Sequence, residues 1–170
     1  MRYLARLIRP NSPCIVIFGS SHIADAIVLL ALLERRGVKA DVGVAPGDPD
    51  EHGLSATQTH VVSFLREATP GHSVTPIPND LLVDRLNEIA ANPAESCSLV
   101  LFTDRPIEYG KLTATGKPSL VFIHHRVNQS GLPRLRTFLR DIAESRYFID
   151  ARISNERQLL IRERGNRRFY

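Results

Sequence analysis

Cysteine, methionine and tryptophan are scarce in this chain of 170 residues, and long apolar runs are missing. There are two cysteines, one methionine and no tryptophan. Because Cys14 and Cys97 lie far apart and each stands at the start of a predicted strand, buried free thiols are favoured over a disulfide scaffold. No run approaches the roughly 18 apolar residues of a membrane span, and the first residues lack the apolar stretch of a secretory signal. We therefore expect a cytoplasmic protein without a membrane span.

Lysine is also rare and occurs only at Lys39, Lys111 and Lys117, so arginine carries most of the positive charge. The net charge is +4 and the isoelectric point is near 9.4. Arginines are dense from residue 134 onward, where acidic residues are interspersed with them. Such a segment is typical either of a salt-bridged surface or of a surface that follows a phosphate backbone. For the second alternative, the candidate residues are Arg126, Arg162, Arg164, Arg167 and Arg168.

Strand and helix patterns alternate along the first 130 residues. With 43% hydrophobic residues, the chain can bury one substantial core. Short apolar runs predict buried parallel strands, and the segments between them have helical patterns. Five strands are expected, at residues 14–18, 39–44, 73–77, 98–102 and 118–126, with helices at about 22–36, 57–68 and 80–91. This alternation implies right-handed crossovers and a doubly wound, mostly parallel α/β sheet with helices on both faces.

The C-terminal residues have a different pattern from the rest of the chain. Residues 132–145 predict a helix, and residues 147–154 and 158–164 are suited to pair as a hairpin. We interpret residues 131–170 as a basic appendage that packs on the α/β domain of residues 1–130. No internal repeat or low-complexity tract interrupts either part.

Polar residues follow three of the predicted strands. They are Ser20, Ser21, His22 and Asp25 after the first strand, Asp104 after the fourth, and His124 and His125 at the end of the fifth. Because the carboxyl ends of parallel strands meet at one edge of a sheet, these side chains are expected to lie near one another. Carboxylate and imidazole groups together suit Mn²⁺, which could ionise water and stabilise phosphoryl oxygens. Simpler interpretations are a carboxylate favoured by the helix dipole at Asp25, a turn cap at Asp104 and a serine helix cap.

Three short motifs resemble those of the DHH phosphoesterase superfamily over about residues 12–130. They are Ala24-Asp25-Ala26-Ile27 with its apolar helix, the strand that leads to Asp104, and the strand that ends in His124-His125. The resemblance implies a metal site formed by Asp25, Asp104 and His124, with Mn²⁺ as the cofactor. His22 and His125 stand close enough in sequence to fill vacant ligand positions.

The motifs depart from the family pattern at the positions that would hold a second metal. Ile23 and Ile123 stand where the family has aspartates, and Ser20 stands where it has a histidine. The family's second domain has no counterpart in the sequence. Two-metal hydrolysis needs both ions, so losing one site removes much of the transition-state stabilisation. The resemblance therefore implies a degenerate, non-catalytic domain that binds a protein or a nucleic acid.

Two alternatives to the degenerate domain stay open. The first is an active, Mn-dependent phosphodiesterase that acts on short oligonucleotides or cyclic dinucleotides through a single ion. The second is a nucleotide-binding module that resembles the universal stress proteins, in which Gly19, Ser20 and Ser21 hold phosphate at a helix N-terminus. A homo-oligomer is compatible with each of the three.

Overall fold

The structure, a computed structural model, describes residues 1–46, 55–78, 97–103, 120–125, 147–150 and 158–163. Within these ranges the helices are α1 (Arg2–Leu7), α2 (Ile23–Glu34) and α3 (Ala56–Ala68), and a 3₁₀ turn (Ser20–His22) precedes α2. The strands are β1 (Cys14–Gly19), β2 (Ala40–Ala45), β3 (Ser73–Pro76), β4 (Ser98–Thr103), β5 (Leu120–His125), β6 (Tyr147–Ile149) and β7 (Gln158–Glu163). None of the described helices is long and apolar enough to cross a membrane.

The strands form a single sheet with the order β3-β2-β1-β4-β5-β7-β6. All neighbours among β1 to β5 are parallel, whereas β7 is antiparallel to both β5 and β6. The predicted α/β class and the five parallel strands are confirmed. The predicted hairpin pairs as β6 with β7, and it extends the sheet to seven strands. The helices predicted at residues 80–91 and 132–145 lie outside the described residues.

The predicted boundaries of the described helices α2 and α3 and of β1 to β5 and β7 agree with the structure to within about two residues, whereas β6 was predicted to reach residue 154 and ends at Ile149. The clearest case is the end of α2, where Gly37 adopts a φ of 67°. The Val38 N–H donates to the Leu33 carbonyl and the Gly37 N–H donates to the Glu34 carbonyl, which closes the helix as expected from a C-terminal glycine. Helix α1 was not predicted, although the burial of Leu4 and Ala5 gives it an apolar side.

The core lies on both faces of the sheet. On one face, alternate residues of β1, β2 and β4 pack against the three described helices. The helix residues that are fully buried there include Leu29, Leu30, Leu33 and Leu65. On the other face Ile17, Leu99, Leu101 and Ile161 are also buried. Continuous apolar strands of this kind are typical of parallel sheets covered on two sides.

A polar cluster joins the start of the chain to the C-terminal strands. The Tyr3 hydroxyl donates to Oδ2 of Asp150 at 3.2 Å, and Nη1 of Arg162 contacts the same oxygen at 3.4 Å. Asp150 is buried, so its charge is compensated by a guanidinium and a hydroxyl. The cluster lies at the edge where β5 begins, because Arg162 is paired in register with Leu120. Arg162 is thus placed at the edge where the parallel strands start.

Both cysteines are free and buried, as predicted. Burial, with smaller contributions from the nearby Cys97 and Asp41, raises the pKa of the Cys14 thiol to about 12. Burial also raises the pKa of Cys97. Since the thiolate is the nucleophile and the metal ligand, both side chains act as packed apolar groups at neutral pH.

Candidate functional site

The strongest topological candidate for a site lies where the chain changes direction across the sheet. From β1 the chain moves to β2 and β3 on one side, and then returns to β4 on the other side of β1. Connections that leave two adjacent strands in opposite directions open a crevice at the carboxyl ends of those strands. Ligands of doubly wound sheets bind in this crevice. We call the region where β1, β2 and β4 end the carboxyl edge.

A tight turn carries the chain from β1 into α2 at the carboxyl edge. Gly19 ends the strand and Ser20–His22 form the 3₁₀ turn, after which α2 begins at once. Gly19, Ser20 and Asp25 are half-buried, and Asp25 lies in the first turn of α2. The N-cap residue of α2 is His22, which makes no capping hydrogen bond there, so the predicted serine cap is wrong. The first turn of a helix carries N–H groups that are free to bind an anion or a carboxylate.

A row of aromatic rings supports this turn from the neighbouring strands. The ring centroids of His22 and Phe102 are 6.4 Å apart with a tilt of 31°. Phe102 in turn meets Phe122 edge to face at 5.9 Å. Phe102 is fully buried, so rigid packing across β4 and β5 fixes where the turn lies.

The end of β2 forms the adjoining part of the carboxyl edge. Ala45 lies opposite Gly19 in the parallel register of β1 and β2. Ala45 and Pro46 are both buried, so this side of the edge is apolar. The edge therefore combines a polar turn after β1 with an apolar segment after β2, a pairing typical of small-molecule sites.

Gln58 in the first turn of α3 holds the end of β2 in place. Its side chain is fully buried, and its amide Nε2 donates to the carbonyl oxygens of Val44 and Ile77, the latter at 2.9 Å. The amide oxygen accepts from the Ser55 N–H at 3.3 Å, while the Ser55 hydroxyl accepts from the Gln58 N–H at 3.0 Å. These last two bonds form a capping box. Every hydrogen-bonding group of the Gln58 amide is thus used within the protein.

The structure brings together only part of the predicted site. Ser20, His22 and Asp25 lie at the carboxyl edge, as does the backbone of Ser21. His124 and His125 end β5, which lies beyond β4 from β1, and they are paired in register with Phe102 and Thr103. Arg162 lies at the opposite edge beside Asp150. The remaining candidates, Asp104, Arg126, Arg164, Arg167 and Arg168, lie outside the described residues.

The described part of the chain does not assemble a metal centre. No three His, Cys, Asp or Glu side chains within it are grouped so that they could hold an ion. Because Asp104 lies outside the described residues, the predicted ligand set of Asp25, Asp104 and His124 stays a prediction. Its support was the position of these residues at the ends of predicted strands, together with the family resemblance.

The fold matches solved structures, whereas no family model and no curated protein matches the chain. A Listeria monocytogenes protein, provisionally described as a class I S-adenosylmethionine-dependent methyltransferase, aligns with a TM-score of 0.50 and 13% identity. The alignment covers 95% of this chain and 57% of that one. At this identity the likeness shows the fold, which is a Rossmann-like α/β fold shared with the Listeria protein.

Two further structures align with lower scores. An rRNA methylase from Escherichia coli has a TM-score of 0.46 and 14% identity, over 88% of this chain and 57% of that one. The CMeT domain of the citrinin polyketide synthase has a TM-score of 0.47 and 11% identity, over 91% of this chain and 46% of that one. This chain therefore spans about half the length of each of the three.

The resemblance to the DHH phosphoesterase superfamily is wrong. The Listeria protein, whose fold this chain shares, is described as a methyltransferase and not as a phosphoesterase. The functions that depended on the resemblance are overturned with it, namely the degenerate DHH domain and the Mn-dependent phosphodiesterase. The comparison to universal stress proteins is overturned on the same ground.

The physical cause of the error lies in the generality of the motifs. Any doubly wound sheet ends its strands at one edge, and polar residues there are expected whatever the ligand. An acidic residue such as Asp25 in the first turn of a helix is favoured by the dipole alone. The order of the strands, with β7 antiparallel between β5 and β6, depends on pairing between distant residues, which short motifs do not encode.

Proposed function

We propose that this chain is the cofactor-binding domain of an S-adenosylmethionine-dependent methyltransferase, and that the cofactor binds at the carboxyl edge around Gly19. The observation that carries the proposal is the reversal of strand order at β1 and β4, directly beside a polar turn that opens a helix. The fold shared with the Listeria protein supports the choice of cofactor over other ligands of doubly wound sheets.

The residues at the carboxyl edge fit the parts of this cofactor. The Ser20 hydroxyl and the N–H groups at the start of α2 suit its carboxylate, and the Asp25 carboxylate suits its ammonium group. Ala45 and Pro46 supply apolar surface suited to a purine ring. When bound, the cofactor supplies an electrophilic methyl group on sulfur. The part of this chain is to bind the cofactor and orient it toward an acceptor.

For the methyl acceptor, charge favours an anionic molecule such as a nucleic acid. The net charge is +4, and arginines are concentrated in the last quarter of the sequence. Basic residues attract a phosphate backbone, and binding that depends on them weakens as salt rises. This proposal concerns the acceptor alone and is separate from the cofactor site.

Gly19→Val tests the cofactor site. Gly19 has φ −72° and ψ 147°, an extended conformation that valine adopts readily, so the fold is expected to survive the substitution. The added side chain fills space at the end of β1, and we expect the Kd for S-adenosylmethionine to rise at least about tenfold, equal to about 1.4 kcal/mol. Titration calorimetry with S-adenosylmethionine and S-adenosylhomocysteine measures the change.

The matched control for this experiment is Ser73→Val. Ser73 is exposed and begins β3 at the opposite edge of the sheet, so the same new side chain is placed away from the proposed site. We expect its Kd to stay within about twofold of the wild type. Failure of the wild-type chain to bind either ligand contradicts the proposed function. Equal weakening in both variants contradicts the location of the site.

A further inference from the structure

Gln58 is a buried polar side chain that the cofactor contacts proposed above do not use. It is fully buried in the first turn of α3, whose other buried residues, such as Val61 and Val62, are apolar. Burying an amide is costly unless each of its groups is paired. A leucine would fill a similar volume without the cost of burying an amide. The role of Gln58 is therefore to be sought in the groups that its amide binds.

The carbonyl groups that Gln58 holds belong to the ends of two adjacent strands. Val44 is the penultimate residue of β2, and Ile77 directly follows β3. The Val44 carbonyl also accepts from the Ile77 N–H at 2.8 Å, so it receives two donors at once. The amide thereby clamps the carboxyl ends of β2 and β3 to each other and to α3.

The clamped backbone is adjacent to the proposed cofactor site. Val44 is followed by Ala45, which lies directly opposite Gly19 in the register. The rigid start of α3 is tied to the same point, because Ser55 and Gln58 cap one another and the Thr59 hydroxyl donates to the Ser55 carbonyl at 3.1 Å. A shift of the β2 end would therefore change the wall that faces Gly19.

We infer that Gln58 is a positioning residue for the cofactor site, which fixes the Ala45–Pro46 segment beside Gly19 without touching the cofactor. The inference rests on the proposed function. We therefore expect loss of the Gln58 amide to weaken cofactor binding by more than its effect on stability explains. A binding segment that is already ordered gives higher affinity than a mobile one, because the ligand does not have to offset the conformational entropy lost when the segment is ordered.

The test compares Gln58→Leu with two control variants in S-adenosylmethionine titrations at 10 °C, after circular dichroism has established that each variant is folded. Thr57→Leu places the same side chain at the preceding position of α3, where it is exposed. His72→Ala removes a buried polar side chain near the opposite ends of the same strands, and so controls for lost stability. We expect at least about a tenfold rise in Kd for Gln58→Leu and less than about twofold for either control.

A second measurement reports on the clamp itself. Amide hydrogen exchange at Ile77 is expected to be at least about tenfold faster in Gln58→Leu than in Thr57→Leu, since the amide no longer ties the Ile77 carbonyl to the Val44 carbonyl and the segment opens more readily. If Gln58→Leu does not fold, Gln58→Met, which keeps an unbranched side chain, replaces it in both measurements.

The outcomes separate this inference from the function on which it rests. A wild-type chain that binds S-adenosylmethionine, with Gln58→Leu binding it equally well or losing no more than His72→Ala, overturns the positioning role alone. Unchanged exchange at Ile77 also overturns it. A wild-type chain that does not bind the ligand overturns the proposed function and removes the basis of the inference.

Discussion

Phe102→Ala is expected to lower the free energy of unfolding by about 3–5 kcal/mol. Phe102 has no exposed surface, and its ring packs between His22 at the carboxyl edge and Phe122 on β5. Removing the ring leaves a cavity that a parallel strand cannot close, because β4 is held by β1 and β5 on its two sides. Urea denaturation followed by circular dichroism measures the loss.

Phe64→Ala is the matched control for this substitution. Phe64 is 49% exposed on α3, so the same change of side chain removes little buried surface. We expect less than about 1 kcal/mol of destabilisation there. Equal losses in the two variants would show that the row of rings does not hold the carboxyl edge together.

His72→Ala is the second substitution with a large expected effect, about 2–4 kcal/mol of destabilisation. Nδ1 of His72 accepts from the Ala40 N–H at 3.1 Å, so Nε2 carries the proton and donates to the Leu30 carbonyl at 3.1 Å. The ring is buried and joins the start of β2 to α2. Its loss leaves the Ala40 N–H without its acceptor and opens a cavity, and urea denaturation measures the cost.

Two further variants decide whether the hydrogen bonds matter at His72. His60→Ala changes an exposed histidine on α3, and we expect it to lower the free energy of unfolding by less than about 0.5 kcal/mol. His72→Asn keeps a side-chain acceptor near the Ala40 N–H, so it is expected to lower the free energy of unfolding by less than His72→Ala does. Similar stability for His72→Ala and His60→Ala would contradict the bridging role.

The fold was largely predictable from the sequence because its signals are local. Apolar runs such as residues 98–102 and the glycine stop at Gly37 each indicate one element, and the structure places them as predicted. Helix α1 was missed because six residues give too short a periodic pattern. The place of β7 beside β5 was also missed, since the pairing joins residues about forty positions apart.

The candidate site was less predictable than the fold. Ser20, His22 and Asp25 were identified because they follow a recognisable strand, and they lie at the carboxyl edge. The contributions of Gln58 and Phe102 depend on contacts between separate elements, which were not predicted from the sequence. For Gln58 one signal existed, namely a serine three residues before a glutamine, which is a capping box.

The central claim is that S-adenosylmethionine binds where β1 and β2 end, and photochemical cross-linking tests it most directly. The chain is irradiated with methyl-labelled S-adenosylmethionine and digested with trypsin, which leaves Gly19 in the peptide of residues 7–35 and Ala45 in that of residues 40–66. We expect the label on the peptide of residues 7–35, and we expect unlabelled S-adenosylhomocysteine to displace it. Label confined to peptides beyond residue 66, or label that the competitor does not displace, would contradict the claim.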